Sequence, residues 1–307
     1  MEAVREIDIT EIQGLRIGNA QDEEAKTGVT VLLFDKGARV GADISGGGPA
    51  SRETPLTSPV TADNPVNAVV LSGGSAFGLA AGDGVMRYLE EHGIGYDTGY
   101  AKVPLVCQSC IYDLGCGRAD IRPDAEMGYA ACVDAERNRP AQGSVGGGTG
   151  AAVGKLCGME RSTKSGIGSH AVSLGKLQMA AVVVVNALGD IYDPDSGEKI
   201  AGLRSADGQG FSDTCRELYR LSQRTDLFGG NTTIGAVVTN GNFSKAEMNK
   251  IASMTRNAYA RCIRPVGTMA DGDTIYAASL GGAEADLNVA GTLAAEVMAQ
   301  AIQKAVR

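Results

Sequence analysis

The 307-residue chain has no tryptophan, five phenylalanines and only two histidines. The shortage of histidine narrows the chemistry first. A Ser–His–Asp or Cys–His arrangement would have to use His92 or His170. His92 reads as a helix-end residue, where a cation favours the dipole. His170 reads as part of a Gly/Ser-rich loop, and neither stands in a recognisable motif. A histidine-based metal site is equally poorly supplied. The chain also lacks a basic stripe with interleaved aromatics, and its net charge is −8. Nucleic acid is therefore not an expected partner. Its longest apolar run, Met179 to Val185, is too short to span a bilayer. The opening MEAVREIDIT lacks an apolar stretch after a basic start, which argues against a secretory signal. These absences together lead to the expectation of a cytoplasmic protein without a membrane partner.

What is present is ordinary globular composition, 43% hydrophobic and 21% charged, with an unusual 43 glycines. Glycine at that level points to close backbone packing and tight turns. The seven cysteines are odd in number and irregular in spacing, which suits reduced thiols rather than a disulfide framework. Cys107, Cys110 and Cys116 form a CxxC-x5-C cluster. A zinc site would want a fourth ligand, and no Cys or His pair at ligand spacing follows. Small buried or loop cysteines are the favoured reading, and no metal is expected.

Periodicity predicts strands at Gly28–Phe34, Asn67–Leu71, Met179–Asn186, Thr232–Thr239 and Asp273–Ser279. Arg39–Ile44 is expected as a hairpin partner of the first. A helix is expected after LSGG, with Phe77, Ala80, Ala81, Val85, Tyr88 and Leu89 on one face. Ser75 would be its N-cap and Gly93 its stop. Residues 212–225 read as helical, broken by Gly229–Gly230. Ser244 should cap a helix to about Ile263, with Glu247 completing a capping box. Leu287–Val306 reads as a terminal helix. Residues 99–175 are the least regular stretch. No linker divides the chain, and strand groups separated by long helices suggest an α+β layered sandwich.

The glycine-rich GGGTGAAVGK invites a phosphate-loop reading, but Thr149 occupies the place of the first required Gly and Leu156 that of the Ser or Thr. Close backbone approach is the better reading of those glycines. FGGNTTIGAVVTN leads two glycines and Asn231 into Thr232 and a β-branched run. A turn entering a strand is the simpler reading. The chemical alternative is self-processing. A Thr hydroxyl held against the preceding carbonyl can form an ester by N→O acyl shift, and hydrolysis then frees a threonine. Its α-amine, with a pKa of about 8, can serve as base for its own hydroxyl. No histidine is needed. Asp271-Gly272-Asp273-Thr274 is either a polar turn or a carboxylate pair that orients such a nucleophile.

Taken together, GVTVLL, GGGPASRET, NAVVLSGGSAFGLAAGDGVMRYLEE, IYDLG, RPDAEMGYAA, GSVGGGTGAAVGK, VVVVNALGD, GNTTIG and DGDT resemble the self-cleaving L-aminopeptidase/D-esterase family. Relatives of that family include β-peptide aminopeptidases and nylon-oligomer endohydrolases. The segments run from about residue 8 to residue 280 in family order. The resemblance implies a four-layer αββα sandwich of the ornithine-acetyltransferase type, residues 1–307 forming one domain. It implies cleavage between Asn231 and Thr232, into pieces 1–231 and 232–307. It implies Thr232 as nucleophile, Asp271 and Asp273 as its acidic pair, and Asn186 as oxyanion donor. It further implies Lys155 beside the nucleophile and Tyr112 lining the site. No cofactor is implied, and the expected assembly is a homotetramer acting on a small amide or peptide substrate. Many aminopeptidase relatives carry Ser where this chain has Asp271, a departure toward the nylon-oligomer branch. The CxxC region departs from the usual apolar sequence there. Rival readings are an ornithine-type acetyltransferase and a non-cleaving small-molecule binder on the same fold, with a nucleotide-binding protein more distant.

Overall fold

The computed structural model describes residues 3–221 and 230–307. The elements used below are β1 (Leu15–Asp22), β2 (Thr27–Ile44), β3 (Val66–Ser72), α1 (Ala81–Glu91), β4 (Val106–Cys110) and α2 (Ala125–Ala135). They continue with β5 (Ile167–Leu174), β6 (Leu177–Asn186), α3 (Thr214–Arg220), β7 (Thr232–Gly241), α4 (Lys245–Cys262), β8 (Thr274–Ala283) and α5 (Leu287–Lys304).

The continuous apolar runs form strands covered on both faces. Along β2, Val29, Val31 and Leu33 enter one hydrophobic cluster, while Leu32 and Phe34 enter another. Along β6, Met179, Ala181, Val183 and Val185 face one cluster, and Ala180, Val182 and Val184 face the opposite one. That is strand alternation with apolar residues at every position. The cluster fed by Leu32, Phe34, Val182 and Val184 lies between the two sets of strands. A second packs β5, β6, β7 and β8 against α4 and α5. A third packs β2 and β3 against α1 and α2.

Arg39–Ile44 is not a hairpin partner of Gly28–Phe34. Both belong to β2, which runs on through Gly37 at φ +73° and changes partners there. Its first half pairs with β1 and β3, and its second half with β8. The dipeptide Lys36-Gly37 bends the strand without reversing it. From the far side, β5, β6, β7 and β8 follow in order, with β7 and β8 parallel and the other neighbours antiparallel. β3 and β4 are likewise parallel.

Helix ends follow local chemistry. Ser244 caps α4 with the reciprocal Glu247 bond of a capping box. Gly93, at φ +68°, ends α1, its N–H donating to Glu90 O while that of Ile94 donates to Leu89 O. At the other end the expectation needs correction. Ser75 does not cap the α-helix but opens a 3-10 turn, Ser75–Ala80, that follows Gly74. Phe77 consequently points outward, with the Arg122 guanidinium over its ring at 4.1 Å. Of the predicted 212–225 helix, Thr214–Arg220 is seen as α3, capped by Asp213, and residues 222–225 and Gly229 lie outside the described residues. The stretch 99–175 holds more order than its sequence suggests, including α2, capped by Asp124. His170 is correspondingly on β5 rather than in a loop, with Nδ1 2.9 Å from Lys304 Nζ. Among the described residues no helix is long and apolar enough to cross a membrane.

Candidate active site

The C-terminal end of β6 and the starts of β7 and β8 meet at one buried place in the sheet. Asn186 is the cross-strand partner of Thr232, and Asn231 bridges in parallel to Asp271. Asn186, Asn231, Thr232, Asp271 and Asp273 are all buried.

The peptide bond between Asn231 and Thr232 is held from both sides. The Thr232 hydroxyl donates to the carbonyl oxygen of Asn231, which also accepts the Gly272 N–H at 2.9 Å. Gly272 fits because it has no side chain. A Cβ there would lie 2.9 Å from Thr232 Oγ1 and 2.9 Å from Gly48 O. The Asn231 N–H donates to Ala270 O at 3.2 Å.

The two aspartates brace the loop that carries Gly272. Asp271 Oδ2 accepts the Thr268 N–H at 2.8 Å and the Thr268 hydroxyl at 2.6 Å. Asp273 Oδ1 accepts the Thr233 N–H at 2.6 Å, and Oδ2 that of Gly267 at 3.0 Å. Burial, reinforced by the neighbouring Asp271, pushes the Asp273 carboxyl up to about 7. A second loop grips this one from outside: Ser45 N and Gly46 N donate to Asp273 O, and Gly48 N donates to Asp271 O.

On the other side of the junction, Lys155 Nζ donates to Asn186 Oδ1 at 2.8 Å and to Gly230 O at 3.0 Å. Burial brings the Lys155 amine down to about 7, against the pull of Cys116, Asp271, Asp113 and Asp273. Asn186 Oδ1 also accepts the Ala152 N–H at 3.2 Å, and its Nδ2 donates to Tyr112 O at 2.9 Å. This fixes the amide's orientation and engages one of its two N–H groups. The Tyr112 ring packs on Gly230, where a Cβ would come within 2.1 Å of Cγ.

The residues that the resemblance assigned to the site all lie at this junction: Tyr112, Lys155, Asn186, Asn231, Thr232, Asp271 and Asp273. Sequence reasoning missed the backbone donors, above all Gly272, and the clamp of residues 45–48. The only signal was their glycine content, in GGGPASRET and DGDT. The GGGTG glycines are used for close approach. Gly147 donates to Thr30 Oγ1 at 3.1 Å, and a Cβ on it would lie 2.5 Å from Leu71 O. The cysteine cluster is dispersed. Cys107 is packed among apolar side chains, Cys110 lies 3.1 Å from Ser72 Oγ, and Cys116 donates to Gly150 O at 2.8 Å. Burial pushes the Cys107 and Cys110 thiols up to about 12. Among the described residues no group of His, Cys, Asp or Glu is arranged to hold a metal ion.

Comparison with known proteins adds to this geometry. The model of the family described as Peptidase family S58 matches residues 8–307. An uncharacterized aminopeptidase of Mycobacterium leprae is 36% identical over 311 residues, covering 90% of this chain and 79% of that protein. A 6-aminohexanoate-oligomer endohydrolase of Kocuria sp. is 32% identical over 313 residues, covering 96% of this chain and 84% of the other. Among solved structures, the L-aminopeptidase D-Ala-esterase/amidase of Ochrobactrum anthropi, described as a variant of the Ntn hydrolase fold, aligns with a TM-score of 0.71 at 15% identity. That alignment covers 97% of this chain and 85% of the other. A Burkholderia sp. beta-aminopeptidase aligns with a TM-score of 0.68 at 18% identity over 97% of this chain and 85% of the other. At such identities the likeness is one of fold.

Proposed function

This chain belongs to peptidase family S58, and on that premise we propose that Thr232 is first the agent of the chain's own cleavage and then the nucleophile of an amide-bond hydrolase. The observation that carries the proposal is the pair of hydrogen bonds converging on the Asn231 carbonyl oxygen, from the Thr232 hydroxyl and the Gly272 N–H.

In maturation, Thr232 Oγ attacks the Asn231 carbonyl carbon. Negative charge gathers on the oxygen that already faces the Gly272 N–H, a donor placed where charge develops. The C–N bond breaks, the Thr232 nitrogen takes a proton, and an ester joins Asn231 to Thr232 Oγ. Water then hydrolyses the ester. The products are a carboxylate at Asn231 and a free α-amine at Thr232.

In turnover, that amine takes the proton as Thr232 Oγ attacks the substrate amide. The leaving amine departs with a proton, and water releases the acyl group from Thr232. Asn186 donates to the oxyanion through its amide. Asp271 and Asp273 hold the new N-terminus, Asp273 through the neighbouring Thr233 N–H. Lys155 holds Asn186 in orientation and supplies positive charge against the aspartates. Tyr112 lines the site. None of these steps requires a cofactor.

The architecture we infer is a four-layer αββα sandwich, one domain assembled from residues 1–231 and 232–307. The three clusters, one between the strand sets and one under each helix pair, support it. The acid pair Asp271 and Asp273, together with the endohydrolase relative, favours oligoamides beside amino-terminal peptides as substrates. The deciding experiment is intact mass of the denatured protein, fresh and after a day, for wild type and Thr232→Ala. Two fragments meeting at Asn231 and Thr232, absent from the variant, are expected. A variant that is still cut and still active would refute the assignment of Thr232.

A further inference from the structure

A cavity of about 570 Å³ is bounded by Lys26, Cys116, Gly150, Ala152, Lys164 and Arg204. One of these lining residues contacts the site: the Ala152 N–H donates to Asn186 Oδ1 at 3.2 Å, and Asn186 is in turn the cross-strand partner of Thr232. We propose that this cavity receives a carboxylate of the substrate, so that the preferred amide bears an anionic group rather than a neutral or cationic one at that end. The proposal rests on the hydrolase reading above and names its substrate class.

Three cations border the cavity, and among the described residues no carboxylate side chain does. Lys164 Nζ is held in place by the carbonyls of Gly148, Ala151 and Ser165. These are neutral partners that leave its charge uncancelled. Arg204 has no ion pair among the described residues. Among the described residues Lys26 has only Glu23, at 3.6 Å between two half-exposed side chains, a pairing of little strength. Asp113 lies behind the Gly150 wall with both oxygens occupied, by the Thr27 hydroxyl and the Gly74 N–H. Cys116 stays a neutral thiol, since burial raises it further.

The backbone at Lys26 adds an independent observation. It has φ +56°, a left-handed conformation that lysine adopts at a cost and that asparagine tolerates better. A long cationic side chain is thus kept at the rim where a shorter one would relax the turn. Strain of this kind clusters at functional sites.

The test compares a linear 6-aminohexanoate oligomer with a free carboxylate against the same oligomer ending in a primary amide. The enzymes are the matured wild type and the double variant Lys26→Asn/Arg204→Gln. Wild type should favour the acid in kcat/KM. In the variant the acid-to-amide ratio should fall about tenfold, the loss of two part-exposed charge contacts. A ratio that stays within about twofold would overturn the proposal. Melting temperature and fragment masses report whether the variant folds and matures, and Lys26→Asn alone should melt no lower than wild type. Calorimetry on Thr232→Ala with hexanoate and with hexylammonium separates this inference from the hydrolase reading. Binding of hexanoate alone, lost on adding Lys26→Asn/Arg204→Gln, would sustain the anion site even if no amide were turned over. Absence of hexanoate binding, or equal binding of the two probes, would sink it.

Discussion

Gly272 sits where a backbone N–H, and not a side chain, reaches the carbonyl of the Asn231–Thr232 bond. Gly272→Ala would put its Cβ 2.9 Å from Thr232 Oγ1, and the loop cannot yield because Gly48 O lies 2.9 Å away on the other side. The expected result is a folded protein that stays in one piece, read by circular dichroism together with intact mass. Complete cleavage of this variant would remove Gly272 from the mechanism. Asp273 and Lys155 set opposite pH trends in the uncut chain. Folding raises Asp273 from its ordinary 3.8 to about 7, so its contribution is full below the ordinary value and lost as pH rises through about 7. Folding lowers Lys155 from 10.5 to about 7, so its contribution is present above the ordinary value and lost as pH falls through about 7. In Thr232→Ala, which on the proposed mechanism stays uncut, these two groups should therefore place a dip in melting temperature near neutrality. Adding Asp273→Asn should flatten the acid side, between about pH 4 and 7. An unchanged slope on that side would show that Asp273 is not the group responsible.

Elements meet here through glycine. A Cβ at Gly168 on β5 would lie 2.0 Å from Ala301 O on α5, and one at Gly18 on β1 would lie 2.1 Å from Ala131 O on α2. The helices sit directly on the sheets, which accounts for much of the glycine content. Gly168→Ala should force α5 outward, at about 1–3 kcal/mol, the usual range for overpacking. A clear drop in melting temperature with cleavage retained is the expected outcome, and no drop would mean that α5 shifts freely. The same packing explains what the sequence concealed. α2 reads AEMGYAACVDA, without an apolar stripe, because its buried face is made of Gly128, Ala131, Cys132 and Ala135. β4 reads VCQSC yet is buried at every position, its polar side chains bonded inside except at Gln108 Oε1, which has no partner among the described residues: Gln108 Nε2 donates to Gly78 O at 2.7 Å, and Ser109 Oγ lies 2.8 Å from Tyr276 OH. Phe77 leaves the expected helical face for the converse reason. Its spacing fits a helix, but the α-helix starts five residues later than the pattern suggests, at Ala81.

Across the whole molecule, cleavage at Thr232 would free the end of a strand at the centre of a sheet. β7 is paired with β6 on one side and β8 on the other, and α4 and α5 that follow it build the cluster under that sheet. The pieces 1–231 and 232–307 share that core. They should elute as a single species on native size exclusion and separate only after denaturation. Dissociation in native buffer would show that the nick loosens the fold.

What the sequence determined by itself is the local and the periodic. The runs GVTVLLF and MAAVVVVN read as apolar strands. The shortage of histidine beside an Asn-Thr junction pointed to a nucleophile that supplies its own base, and the resemblance assigned the partners. What only the tertiary structure decided is the convergence. Residues 45–48, 112, 155, 186, 230–232 and 267–273 come to one point because β2, β6, β7 and β8 lie side by side. The decisive donor there is a main-chain N–H, which every residue but proline possesses. No side-chain pattern can mark it, so only the register of the strands shows which one faces the bond.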